Sequence, residues 1–366
     1  MITKLINGGR FRRGRAPLAL MAASAMAMTL AACGGSSDSG PSTKGVDFDK
    51  LTVAQLYAKA KVEGEVAVNS GASDDDMKII AAGFNKLYPG IKIVHFEQQG
   101  EDSAAKLSAE ANAGVYKTDL LDTEQNTAYE VAKAGLLAKY TPPAAAKFDA
   151  RLKQPEFTGY RIQIKAITYN TDKVKGADVP TGYQDLLDPK WKNKVCVEES
   201  EVSTFADMLT DLGRDKGLAY WKALNANGLR FVKGQSDLVQ AVVAGDCPIS
   251  VAANVHSTAQ QMAKGAPINW VKTDPLYANY GALGIVAKAP HPYAARLWMN
   301  YLLSDAGQQS VADDYRIPAN SEVQPKEPEL KQGTFKMVLA GIDVMKNFTE
   351  YNNLFYKTTG RPVVAP

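Results

Sequence analysis

Cysteine and histidine are scarce in this 366-residue chain, at three each. So few exclude a disulfide-built scaffold, and none are spaced closely enough for a structural zinc site. Also absent are the G-x-S-x-G, H-E-x-x-H, C-x-x-C and G-x-x-x-x-G-K-[ST] patterns of serine hydrolases, zinc peptidases, redox pairs and phosphate-binding loops. The sequence therefore points to no enzyme and requires no cofactor. No apolar run reaches the ~20 residues of a spanning helix. What is present is ordinary globular material, 45% hydrophobic and 22% charged, enough for two domains.

The net charge of +3 is unevenly placed. Every charged residue before position 33 is basic: Lys4, Arg10, Arg12, Arg13 and Arg15. Without them the balance is 37 Lys+Arg against 39 Asp+Glu, so the body is nearly neutral and gives no support to nucleic-acid binding. The basic stretch leads into an apolar run from Ala16 to Leu30, the length of a signal-peptide core. At its end Leu30-Ala31-Ala32-Cys33 resembles the lipobox of bacterial lipoproteins, which implies cleavage before Cys33 and lipidation of its sulfur. The alternative is a plain signal peptide cut after Ala32. Residues 1–32 are thus expected to be a signal peptide and residues 33–50 a flexible tether, because their small polar composition cannot offset chain entropy. The chain is expected to be exported and held to the membrane by lipid, on the outer face of the cell membrane or in the periplasm.

That compartment allows Cys196 and Cys247 to pair. Both lie in or beside β-rich runs, Lys194–Glu198 and Cys247–Ala253, separated by two helical stretches. In a doubly wound lobe the first and third strands are neighbours roughly 4.8 Å apart, within disulfide range. Two buried free thiols are the other reading.

From residue 64 the body alternates strand and helix. The pattern predicts strands over 65–69, 91–96 and 119–122, and helices over 74–87, 102–114 and 125–135. A long β-rich segment, 160–169, is followed by a second series. Its strands are predicted over 194–198, 229–232 and 247–253, and its helices over 204–212, 216–226, 236–244 and 257–264. A second long strand, 281–288, leads into helices near 292–303 and 305–314, and a last helix is predicted over 334–355, packing on the first lobe. The order predicts an α/β protein of two lobes, each a doubly wound and mostly parallel sheet, joined by two crossover strands. The expected division is lobe 1 over 51–165, lobe 2 over 166–279, and a return to lobe 1 over 280–366.

Several segments carry a resemblance. Asp185-Leu-Leu-Asp-Pro-Lys-Trp-Lys-Asn-Lys194 resembles the "DLLDPKWKGK" signature of bacterial ABC-transporter solute-binding proteins, in the branch of ferric-iron, thiamine and phosphonate binders. Asn193 stands where that signature has Gly. Tyr169-Asn-Thr171, Gly217–Trp221, Val239–Gly245, Ala289–Pro292 and Leu303–Gln308 agree in order. The resemblance implies a type II periplasmic-binding-protein-like fold. It also implies a monomeric receptor that closes by hinge motion on one small solute or ion and delivers it to an ABC permease and ATPase complex. Sensory modules and enzymes on the same scaffold are the rival classes.

Ligands of open α/β sheets sit beyond the C-terminal ends of strands. That rule selects Ser70, Gly71, Ala72, Gln98 and Thr123 in the first lobe, and Ser200, Gln235, Ser236, Asn254 and His256 in the second. Tyr169 is selected at the end of one crossover strand, and Tyr277 and Tyr280 before the other. The turn Ser70–Ala72 is read as an anion cradle or as a helix cap, and the tyrosines as contacts or as hinge packing. Ferric-iron members of the branch present adjacent tyrosines after the strand equivalent to 247–253. Here that stretch reads Ala253-Asn-Val-His-Ser-Thr258, so the identity of any metal stays open.

Overall fold

The computed structural model describes residues 45–98 and 100–362. Cys33, the expected lipid anchor and the leader lie outside the described residues. The tether stops short of residue 50. Val46, Phe48 and Leu51 pack on the body, with the Phe48 ring 5.2 Å from that of Tyr293, because three apolar side chains gain more by burial than by exposure.

The first lobe is built from strands β1 (Glu65–Ser70), β2 (Lys92–Glu97) and β3 (Leu120–Glu124) with helices α1 (Val53–Glu63), α2 (Asp74–Leu87), α3 (Gly100–Ala113) and α4 (Gln125–Lys133). Strand β4 (Phe157–Asn170) leaves it for the second lobe, which holds β5 (Val195–Glu198), β6 (Arg230–Val232), β7 (Ile249–Asn254), β8 (Ile268–Trp270) and helices α5 (Val202–Asp211), α6 (Arg214–Ala226), α7 (Gln235–Ala244) and α8 (Val255–Ala263). Strand β9 (Leu276–Ile285) returns to the first lobe and its helices α9 (Pro292–Leu303) and α10 (Asp305–Asp313). After these come β10 (Ile317–Pro318), β11 (Met337–Leu339), α11 (Ile342–Lys346) and α12 (Phe348–Thr359).

All strands join one mixed sheet in the order β2-β1-β3-β9-β4-β7-β5-β6, with β8 and β10 on β4 and β11 on β9. Within each lobe the pairs β1–β2, β1–β3, β5–β6 and β5–β7 are parallel, as βαβ connections require. The crossing strands run antiparallel to each other and to their neighbours β3 and β7.

Local chemistry explains the boundaries. Ser73 caps α2, its hydroxyl accepting from Asp76 N–H, and Asp74, Asp75 and Asp76 fill the first turn where the helix dipole favours them. Asn193 adopts φ 62°, the left-handed conformation for which the resembling signature uses Gly and which Asn tolerates. The Cys196 and Cys247 sulfurs are joined, with a Cα separation of 5.9 Å; Cys196 is on β5, and Cys247 stands two residues before its parallel neighbour β7.

Each lobe has its own core. Phe84, Trp298 and Tyr301 pack edge to face in the first, where every residue of α9 is buried. In the second, Phe205, Trp221 and Phe355 meet with ring centroids 5.4–5.8 Å apart. Phe355 belongs to α12, so the C-terminal helix covers the second lobe and not the first. The single helix read over 334–355 is instead a strand and two helices, separated at Gly341 and Asn347. Truncating a buried Phe such as Phe355 to Ala costs about 3–5 kcal/mol.

Candidate ligand cleft

The register of the crossing strands brings the strand ends together. Glu124, at the end of β3, lies opposite Gly281 of β9, and Asn254, at the end of β7, lies opposite Lys165 of β4. Between them Arg161, Gln163 and Lys165 alternate with Ile162, Ile164 and Ala166, so the three polar side chains share one face. Directly opposite on β9 are Gly281, Asn279 and Tyr277. Gly281 is required there: a Cβ would stand 2.5 Å from Arg161 Cζ.

This polar stripe is buried, and burial demands partners. Arg161 Nη1 donates to Asp122 Oδ1 at 2.7 Å, and Asp122 Oδ2 accepts from Ser70 Oγ at 2.7 Å and Tyr160 OH at 2.8 Å. Burial pulls the Arg161 guanidinium below its ordinary range, and Asp122 opposes that pull. Lys165 Nζ lies 3.1 Å from Glu201 Oε2. Burial opposes its charge too, but Glu201, Glu124 and Glu198 outweigh it and hold the amine above its usual value. Glu198 is raised by burial first and by the Glu201 charge second. His256 is pushed well below its usual value by burial, with Arg316, Arg161 and Lys165 adding to the effect, so its imidazole is neutral.

Beside these pairs are polar atoms with no partner in the protein: Gln163 Oε1, Asn279 Oδ1, Asn254 Oδ1, Arg161 Nε and Gln125 Nε2. Gln163 and Asn279 face each other across the β4–β9 ladder, and Asn254 is on the same face one step along. Such a concentration of unused, buried neutral amides is costly unless something occupies it.

The residues chosen by the strand-end rule separate into two groups. Gln235, Asn254 and His256 come together beside the stripe. Gln235 Nε2 donates to Glu201 Oε2 at 2.7 Å, and its Oε1 accepts from Asn254 N–H at 3.1 Å. Ser200 donates through N–H and Oγ to Glu198 Oε2, and Ser236 is exposed in the first turn of α7. In the first lobe, Ser70 serves Asp122 and accepts from Ala72 N–H, Gly71 forms the turn between them, and Gln98 Oε1 accepts from Asn69 Nδ2. Helix α2 is capped by Ser73, so Ser70–Ala72 is not its cap.

Thr123 points to the face opposite Asp122 and Glu124, the carboxylates that flank it. Tyr169 is a correction. Strand β4 is antiparallel to β7, so its C-terminal end pairs with Ile249 at the start of β7, remote from the cleft. Tyr277 and Tyr280 are also corrected: they lie within β9, which starts at Leu276 and not at 281. Tyr280 is fully buried in the first core, with its hydroxyl 3.9 Å from Met345 Sδ, and Tyr277 OH donates to Asp211 at the far end of α5. The stripe itself was missed, although the alternation Arg161-Ile-Gln-Ile-Lys165 in a buried crossing strand signals it.

The histidines outside the cleft are structural: His95 Nδ1 is 2.8 Å from Asp74, and His291 Nδ1 is 2.8 Å from Asp119. No group of three His, Cys, Asp or Glu side chains among the described residues is placed to hold a metal ion. No described helix is long and apolar enough to cross a membrane.

Comparison with known proteins agrees with this geometry. Iron uptake protein A1 of Synechocystis sp. is 24% identical over 212 residues, 52% of this chain and 58% of that protein. A putative 2-aminoethylphosphonate-binding periplasmic protein of Salmonella paratyphi A is 27% identical over 313 residues, covering 78% and 89%. The structure of iron-bound HitA from Pseudomonas aeruginosa superposes with a TM-score of 0.69 at 17% identity, over 80% of this chain and 99% of that one, and so shares the two-lobed type II binding-protein fold. The family model for bacterial extracellular solute-binding proteins matches residues 80–336. With that match spanning both lobes, this chain belongs to the bacterial extracellular solute-binding protein family.

Proposed function

We propose that the chain captures one small organic solute carrying an oxyanion in the cleft between its lobes. As the binding component of an ABC importer, it passes that solute to a membrane permease. The observation that carries this reading is the buried stripe of Arg161, Gln163 and Lys165, with unused amides of Asn254, Asn279 and Gln125 around it. A relative named for iron and one named for 2-aminoethylphosphonate define the choice, and the donor set favours the phosphonate class. Three cations, Arg161, Lys165 and Arg316, act on neutral His256, and the residues after β7 supply an amide and an imidazole in place of phenols. Arg161 Nε and Gln125 Nε2 are unused donors that match an oxyanion, while the unused oxygens of Gln163, Asn254 and Asn279 are acceptors that match an ammonium or other donor on the same solute. In this reading Cys33 carries the lipid, the protein works as a monomer at the membrane surface, and the solute is released unchanged.

Calorimetry and thermal shift on the mature protein test it, with 2-aminoethylphosphonate, inorganic phosphate and ferric ion as separate additions. One phosphonate per chain, with stabilisation of about 2.7 kcal/mol at a hundredfold excess over Kd, is expected. Tight ferric binding that no oxyanion competes with would overturn the ligand class, and turnover of any added solute would overturn the receptor role.

A further inference from the structure

A cavity lies in the second lobe, at the opposite end of α5 from the cleft. It is half open to solvent, holds about 310 Å³, and is lined in part by Tyr183, Tyr220, Tyr277, Asp185, Asp211 and Asp274. No Lys or Arg lines it. The rings form a corner: Tyr183 and Tyr277 have centroids 5.5 Å apart at 54°, and Tyr183 and Tyr220 are 6.4 Å apart at 87°. Tyr220 and Tyr277 are 4% and 2% exposed, so the half-buried Tyr183 supplies the ring area open to an organic cation.

The electrostatics point the same way. Asp211 is the last residue of α5, where the helix dipole is negative, and its Oδ2 accepts from Tyr277 OH at 3.0 Å. Asp185 is occupied by the N–H groups of Thr181 and Gly182, and Asp274 is 3.7 Å from Lys336, so Asp211 is the carboxylate best placed to act on an occupant. Burial raises the phenols of Tyr183, Tyr220 and Tyr277, which therefore stay protonated and present neutral rings. Tyr220 is only 4% exposed, and its hydroxyl has no partner in the protein although the residue lines the cavity. A buried hydroxyl left without a partner in a cavity of this size marks a place where a polar occupant is accommodated.

We infer that this cavity is a second ligand site, distinct from the cleft, that takes a small organic ammonium ion against the ring of Tyr183, with Asp211 as its counter-ion. It goes beyond solute capture in the cleft, and either can fail without the other.

Tetramethylammonium chloride is the probe, titrated into the mature protein and followed by calorimetry and protein NMR against potassium chloride at equal ionic strength. Saturable 1:1 binding is expected. Asp211→Asn, an exposed and nearly isosteric change, weakens it about tenfold or more, as does Tyr183→Ala, while Tyr183→Phe retains it. Asn254→Ala, in the cleft, leaves it unchanged. No saturable binding beyond the potassium control overturns the site, as does binding that survives Asp211→Asn but is lost in Asn254→Ala. If Tyr183→Ala fails to fold, the Asp211→Asn and Asn254→Ala pair still decides.

Discussion

Strand β4 is fixed by a buried ion pair in each lobe, but the surroundings of the two pairs differ. In the first lobe Asp122 is saturated by Arg161, Ser70 and Tyr160. In the second, Lys165 and Glu201 are joined by Gln235, and next to them Gln163, Asn254 and Asn279 keep unused amide oxygens. A network centred on a carboxylate with both oxygens engaged is framework. One with neutral groups left over, beside a charge already balanced, is prepared to receive something.

The strongest test of that contrast is Asp122→Asn. Leaving Arg161 buried without its partner is expected to cost about 3–5 kcal/mol in urea denaturation. A loss below ~1 kcal/mol would show that the first-lobe network is not framework. Next, replacing Cys196 and Cys247 by Ser removes a link spanning 51 residues of the second lobe, with an expected loss of about 2–4 kcal/mol seen in the same assay. It confines the damage to the lobe that carries the unused amides, so solute affinity is expected to fall with stability.

Asn254→Ala should behave in the opposite way to Asp122→Asn. It leaves denaturation within about 1 kcal/mol of the parent and weakens solute binding by about 1–3 kcal/mol in calorimetry, because its amide oxygen has no partner in the protein to lose. The last effect is one of pH and concerns Asp314, which shares the Arg316 guanidinium with Asp76 and accepts from Gln260 of α8. Burial and the Asp76 charge push its carboxyl up from 3.8 to about 6, against the opposing pull of Arg316. Because the folded value is raised, this contribution to stability is complete below pH ~4 and is lost as pH rises through about 6, by about 3 kcal/mol for a shift of that size. Asp314→Asn should flatten that part of the stability profile; an unchanged slope would place the proton elsewhere.

Much of this architecture is legible in the sequence. Helix α2 has the predicted limits, Asp74 to Leu87, because a serine cap, three leading aspartates and a Pro-Gly stop all agree. The neighbouring strands that bring Cys196 to Cys247 follow from βαβ order. What was not readable depends on direction and packing. Tyr169 was placed in the cleft because a strand ends there, yet only the antiparallel pairing with β7 reveals which edge that is. The start of β9 was missed since Tyr277-Ala-Asn-Tyr280 gives little apolar alternation, its polar Asn279 being turned to the cleft. The last helix was assigned to the wrong lobe, for nothing local to Phe355 shows that Phe205 and Trp221 await it.

One consequence of the sheet order concerns timing. Arg161, Gln163 and Lys165 lie on a strand hydrogen-bonded to both halves of the molecule, at the axis about which the halves must turn. Points on an axis travel least. These three side chains therefore present nearly the same surface throughout the swing, whereas Gln235, Asn254 and His256 arrive with their lobe. In the proposed function, a solute therefore meets a stationary set of groups and an arriving one.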